Sequence, residues 1–315
     1  MIDFRYHLVS LIAVFLAVAL GIIIGTTALN EPILADIKNQ VSALEKDKRS
    51  LESRTQQLQT VVNSDDNFAD AVGPSLVHGT LSGHSVLLIG ASKDVPSDTV
   101  DQLTTLIAAA GGTVSGTLTL QPQYTDPAAA PNLKNYVTGS GRPPGIQLPQ
   151  VDDAGKLTGS LLAQVLMIPP SGPAPGRAAI SSVLAGLSAL NVLTAQGDSV
   201  APADYAVILT AGALSGSDAK ARNTVLTDLA SALDGAGSGT VVAGDSGSAT
   251  DNGLIGVIRA DPTLSAALST VDNATSGAGR ISTVLALVGE RDGTSGKYGT
   301  GKDTQPVPPV PAATP

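Results

Sequence analysis

Cysteine and tryptophan are absent from the 315-residue sequence, and it holds only two methionines and three histidines. Without thiols there is no disulfide, no thiolate nucleophile and no cysteine-ligated metal. Missing disulfides do not assign a compartment, because a sufficiently large core stands without them. A basic surplus is lacking too. The 18 Lys and Arg face 27 Asp and Glu, a net charge of −9 that splits into about −3 for residues 1–83 and −6 for the rest. That balance offers no footprint for nucleic acid, which requires a positive face. Aromatic residues make up only 3%, while Gly reaches 34 and Pro 20.

Long apolar runs are also scarce, with one exception. Residues 8–29 are 22 positions without an ionisable side chain, enough at about 1.5 Å per residue to cross a hydrocarbon core of roughly 30 Å. The run exceeds the roughly 7–15 apolar residues of a secretory signal. Its exit, Gly25-Thr26-Thr27-Ala28-Leu29-Asn30-Glu31-Pro32, makes a poor cleavage site. A retained anchor over residues 1–30 is therefore expected. Arg5 and the amino terminus, partly offset by Asp3, precede the span, and Glu31, Asp36 and Lys38 follow it. This weak bias places the amino end in the cytoplasm and the rest of the chain outside.

Beyond the anchor, Leu34, Ile37, Val41, Leu44, Lys48, Leu51, Thr55, Leu58 and Val62 recur with alternating three- and four-residue spacing. That is the seam of a coiled coil over residues 31–66, with Glu45, Lys46, Asp47, Arg49, Glu52 and Arg54 mostly on the outer faces. Self-association, or pairing with a partner helix, follows from it. Lys48 and Thr55 weaken the seam and either set its register or, for Lys48, snorkel out of it. Ser64-Asp65-Asp66-Asn67 reads as the end of the coil or a cap on a following short helix, and residues 67–83 as a connector.

Residues 84–302 read as one α/β domain. Strands are predicted at 85–89, 113–120, 191–194, 206–210, 240–243 and 281–287. Between them lie amphipathic helices carrying Val100, Leu103 and Ile107, then Ile180, Val183, Leu184 and Leu187, then Val225, Leu226, Leu229 and Leu233, with a further helix over 157–167. Ser97 and Ser217 are candidate caps, and Asp261-Pro262 is a helix start. Apolar strands alternating with helices imply a mostly parallel, Rossmann-like sheet covered on both faces. Residues 121–155, with six prolines and little periodicity, read as a surface insertion, and residues 303–315 as a disordered tail.

Chemical motifs are few. Gly244-Asp245-Ser246-Gly247-Ser248 resembles a serine-protease nucleophile loop, but His7, His78 and His84 all lie far from it in this order of elements, and the loop reading prevails. The turns Gly90-Ala91-Ser92, Ala211-Gly212-Ala213 and Gly244-Asp245-Ser246 follow strands and would line a ligand crevice, with Ser92, Gly212 and Asp245 nearest to it, yet none completes a nucleotide-binding fingerprint. A metal site from His78 and His84 with Asp70 or Asp94 is the best that the donors allow, and copper favours Cys and Met sulfur or imidazole. No catalytic, cofactor or metal residue is assigned; the seam is the candidate site.

The run from Phe4-Arg5-Tyr6-His7 through Leu8-Val9-Ser10-Leu11-Ile12-Ala13-Val14-Phe15-Leu16-Ala17, the coil ending near Asp66-Asn67-Phe68, Gly279-Arg280-Ile281 with Leu285-Ala286-Leu287, and Tyr298-Gly299-Thr300-Gly301 together resemble the actinobacterial MctB family. The resemblance spans essentially the whole chain. It implies an outer-membrane, pore-forming copper exporter of mycolate-bearing bacteria. Corynebacterial members also look like SteB, implying a cell-separation role with a membrane partner, SteA, upstream of cell-wall hydrolases.

The residues favour the second implication. A membrane barrel needs many segments of roughly 9–11 alternating residues, which are not found here. A pore lining needs more polar positions than Ser10, Thr26 and Thr27. The expectation is thus a non-enzymatic, membrane-anchored scaffold that pairs through its coil and needs no cofactor. Copper efflux from the mycolate membrane is the alternative.

Overall fold

The chain is described by a computed structural model over residues 4–197 and 200–310, with side chains outside 26–35. It divides into two units, Met1–Ser64 and Asp65–Pro315. The long helix α1 (Phe4–Val77) starts in the apolar run and continues past Ser64-Asp65-Asp66-Asn67, where the sequence signals an end. The reason is tertiary. Asp66 accepts from the Gly277 amide and Asp70 from Arg280, and Ala69 and Val77 are buried, so this turn keeps its helical bonds. Within α1 the stretch Phe4–Gly25 has a mean hydropathy of 2.9 and is long and apolar enough to cross a membrane.

After α1 come β1 (Ser85–Gly90), α2 (Ser97–Ala109), β2 (Thr113–Leu120), α3 (Ala130–Thr138), α4 (Ala154–Leu166), α5 (Arg177–Ala189), β3 (Leu193–Gln196) and β4 (Tyr205–Thr210). The remainder is α6 (Ala219–Ala236), β5 (Thr240–Gly244), α7 (Leu254–Ala260), α8 (Pro262–Ala267), β6 (Ser269–Val271), α9 (Gly277–Arg291) and β7 (Lys297–Tyr298). The sheet runs β3-β2-β1-β4-β5-β6-β7, parallel throughout except for the antiparallel β2–β3 edge.

Alternation within β1 shows how the layers form. Leu87 and Ile89 face a core shared with α4, α5 and α6, while Val86 and Leu88 face one shared with α2, α9 and the end of α1. Both faces are covered, as a parallel sheet requires.

Several expectations change. Residues 281–287 form part of α9, not a strand. The segment is buried on every side and mixes Ser282 and Thr283 with its apolar residues, so its pattern resembles a buried strand, and Ser276 caps the helix by accepting from the Gly279 amide. The proline-rich stretch 121–155 holds a 3-10 turn and α3, and Tyr124, Leu133 and Val137 enter the core. Ser97 lies inside α2 after Pro96, and α6 starts after Asp218 with no side-chain cap, whereas Asp261 does cap α8. Strands β6 and β7, of three and two residues, are too short to leave a pattern. Gln305 pairs with Lys297 and Gly299; residues 311–315 lie outside the described residues.

Candidate functional site

Within Met1–Ser64 the heptad positions lie on continuous helix. Ile37, Val41, Leu44, Leu51, Leu58 and Val62 are all exposed, from 49% at Val41 to 71% at Leu44. The Leu34 side chain lies outside those described. Thr55 Oγ1 donates to the Leu51 carbonyl at 2.9 Å, satisfying its hydroxyl within the helix. Lys48 Nζ reaches Glu52 at 3.6 Å along the same helix, so the ammonium is drawn sideways from the seam. Arg49 pairs with Glu45 at 3.2 Å one turn back. The result is an apolar stripe flanked by charge.

The sheet brings three strand-end turns together at the carboxyl edge. Residues after β1 (Ala91 to Asp94), after β2 (Gln121, Pro122, Thr125) and from the last residue of β4 onward (Thr210 to Leu214), with the start of α6, line a cavity of about 160 Å³. Strand β1 runs through α2 to β2 on one side, and β4 leads off on the other, so the cavity lies at the point where the winding reverses, where open α/β sheets bind ligands. Gly212 takes φ +64°, and its amide donates to Asp245 Oδ1 at 2.9 Å; that oxygen also accepts from Ser248 N at 2.9 Å. Asp245 therefore staples the turn after β4 to the turn after β5. Ser92 and Gly212 line the cavity as the sequence suggests, while Asp245 supports it from behind.

The protease-like loop carries no triad. Ser248 Oγ donates to the Asp245 carbonyl, and Asp245 is occupied by backbone amides. His84 lies at the opposite, amino edge of the sheet, 3.8 Å from Asp204 and edge-on to Tyr205 with ring centroids 5.4 Å apart.

The metal candidates do not converge either. Asp70 is held by Arg280 at 2.9 Å. Asp94 follows β1 and His84 precedes it, and the six residues of that strand separate them by about 20 Å. Among the described residues no group of three or more His, Cys, Asp or Glu is placed to hold a metal ion. Met167 is in the core at 1% exposure.

A polar network missed from sequence explains the Tyr298-Gly299-Thr300-Gly301 stretch. Asp272, 1% exposed, accepts from the Thr300 and Gly301 amides at 2.7 and 3.1 Å and from Arg259 Nη1 at 2.6 Å. Arg259 Nη2 donates to the Tyr298 carbonyl at 2.9 Å. Gly299 has φ +127°, and a Cβ there would stand 2.1 Å from Asp272 Oδ1. The motif is glycine-rich because its backbone wraps a buried carboxylate. A second ion pair, buried only on its arginine side, holds the end of α1: Arg280, 4% exposed, donates to the Thr275 carbonyl and to the half-exposed Asp70, while Asp66 accepts from the Gly277 amide at 2.8 Å.

Two acids at the amino edge bind their protons more tightly than ordinary carboxylates. Burial pushes Glu290 up to about 7, against the Ser269 hydrogen bonds that pull it down, and burial pushes Asp234 up to about 6, opposed by the Thr240 amide.

These features define a class: a Rossmann-like α/β domain on a long helix whose first part is apolar enough to span a membrane. The family described as "Copper transport outer membrane protein, MctB" matches residues 1–309. "Copper transporter MctB" of Mycobacterium tuberculosis (strain ATCC 25618 / H37Rv) is 34% identical over 312 residues, covering 98% of this chain and 99% of that protein. The protein of the same name from Mycobacterium leprae (strain TN) is 33% identical over 309 residues, covering 96% and 97%. The chain belongs to the MctB family.

Proposed function

We propose that this chain is a non-enzymatic, membrane-anchored protein of envelope copper homeostasis, with copper as cargo and not as a resident cofactor. The observation that carries the reading is the full-length match to proteins named as copper transporters. It favours the copper alternative over the scaffold first expected. In this reading residues 4–25 anchor the chain, its amino end is cytoplasmic, and the α/β domain lies outside. The family description points to the outer, mycolate membrane as a second location.

One spanning helix encloses no channel, so passage of an ion requires several chains. The exposed seam over residues 34–62 supplies the means of assembly, as a homo-oligomer or with a partner helix. With no thiols, contact with copper is weak and exchangeable, involving exposed imidazole such as His78.

The same seam favours a second reading, a SteB-like scaffold that recruits a SteA-like membrane protein for cell separation. The test is a strain lacking this gene, complemented with the wild type or with Leu44→Asp and Leu51→Asp together. Copper sensitivity and raised cell copper on deletion, rescued only by the wild type, support the proposal. Normal copper tolerance with unseparated cells transfers the function to the scaffold reading.

A further inference from the structure

The cavity at the carboxyl edge of the sheet has polar groups with no intramolecular use. Asn223, in the first turns of α6, lines it and is 1% exposed. Its Nδ2 donates to the Asn252 carbonyl at 2.9 Å, which fixes the amide orientation, since the flipped form would set two oxygens against each other. Its Oδ1 is buried without a hydrogen-bond partner. A buried acceptor in this position calls for a donor from an occupant.

The neighbouring groups call for something else. Arg222 spends only Nε, on Thr125 Oγ1 at 3.2 Å, and its terminal nitrogens have no partner among the described residues. Lys93, exposed, contributes a second cation on the same cavity, and α6, 18 residues long, begins beside it with the positive end of its dipole. Asp94 is the lining acid, so Lys93 and Arg222 leave one positive charge in excess, in a chain whose net charge is −9. Leu120, Leu226 and Leu254 supply apolar wall.

We infer that this cavity binds a small hydroxylated anion of one to two negative charges: its carboxylate or phosphate meets Arg222 and Lys93, and its hydroxyl donates to Asn223 Oδ1. The volume of about 160 Å³ suits a compound of glycerate size and excludes a dinucleotide. This site is independent of copper and of the seam.

The test is calorimetric titration of the full chain in detergent micelles with glycerate and with glycerol 3-phosphate, which separate carboxylate from phosphate. Propionate, inorganic phosphate and glycerol are the controls. One of the two hydroxylated anions should saturate with a Kd of about 1 mM or tighter. Lys93→Gln, at an exposed position that leaves the fold intact, and Arg222→Gln should each weaken it about tenfold, the loss of one charge-assisted contact. Asn223→Leu should bring the hydroxylated anion down to the level of its control lacking the hydroxyl. Absence of saturation by both anions overturns the inference. So does equal affinity for glycerol alone, or unchanged binding in Lys93→Gln. If Asn223→Leu fails to fold, the propionate and phosphate controls decide the hydroxyl contact.

Discussion

The same residue types have opposite surroundings in the two units. Leu44, Leu51 and Leu58 on the first part of α1 are 71%, 62% and 67% exposed, whereas Val207, Ile208, Val241 and Val242 in the sheet are fully buried. The sheet strands meet helices on both faces from within their own chain. A seam on one helix has no such neighbour, so its apolar area is satisfied only by lipid or by another helix. The difference separates what the α/β unit does for its own stability from what the stalk leaves for assembly.

The largest expected effect breaks the contrast from the stalk side. Leu44→Asp with Leu51→Asp should abolish self-association of the full chain in detergent, read as a fall to the mass of one chain by light scattering, and leave the thermal midpoint of the α/β unit in place. An unchanged mass would mean the seam is not the joint.

Next, on the head side, Arg259→Ala leaves Asp272 buried without its cation. It should lower stability by about 3–5 kcal/mol in urea unfolding, with oligomeric mass preserved. A loss below about 1 kcal/mol, the level of an exposed pair, would show the network to be solvated.

A smaller effect follows from Glu290. Its folded value is raised from 4.5 to about 7, so the folded state binds the proton more tightly than the unfolded one. The associated stability is full below the unfolded value and declines as pH rises through about 7. Glu290→Gln should remove that decline and, above pH 7, gain roughly 1–3 kcal/mol; an unchanged pH profile of the thermal midpoint would refute it. Asp234 retains its own decline at lower pH.

The smallest effect sharpens the boundary between the regions. Asp66→Ala removes the acceptor for the Gly277 amide and should cost about 1 kcal/mol, with hydrogen exchange rising in the first turn of α9.

What was legible in the sequence had repetition on its side. The 22-residue apolar run lies in α1 and Val86-Leu87-Leu88-Ile89 in β1, both unbroken apolar stretches; the nine seam positions repeat along helix α1, and their pairing belongs to the proposal. What was not legible depends on distant partners. Helix α9 looks like a strand because burial on every side erases its period. The turn at residues 64–67 stays helical because Asp66 and Asp70 find Gly277 and Arg280, some 210 residues away. The cavity was half visible: glycine-rich turns marked Ser92 and Gly212, but Arg222 and Asn223 look like ordinary helix residues until the sheet brings β2, β4 and α6 together.

The central claim joins copper handling to assembly through the seam. It is tested most directly by measuring cell-associated copper in a deletion strain carrying either the wild-type gene or Leu44→Asp with Leu51→Asp. The account predicts copper as high in the variant as in the deletion and low with the wild type. Equal copper in the variant and the wild type, with the variant shown to be unpaired, would contradict it.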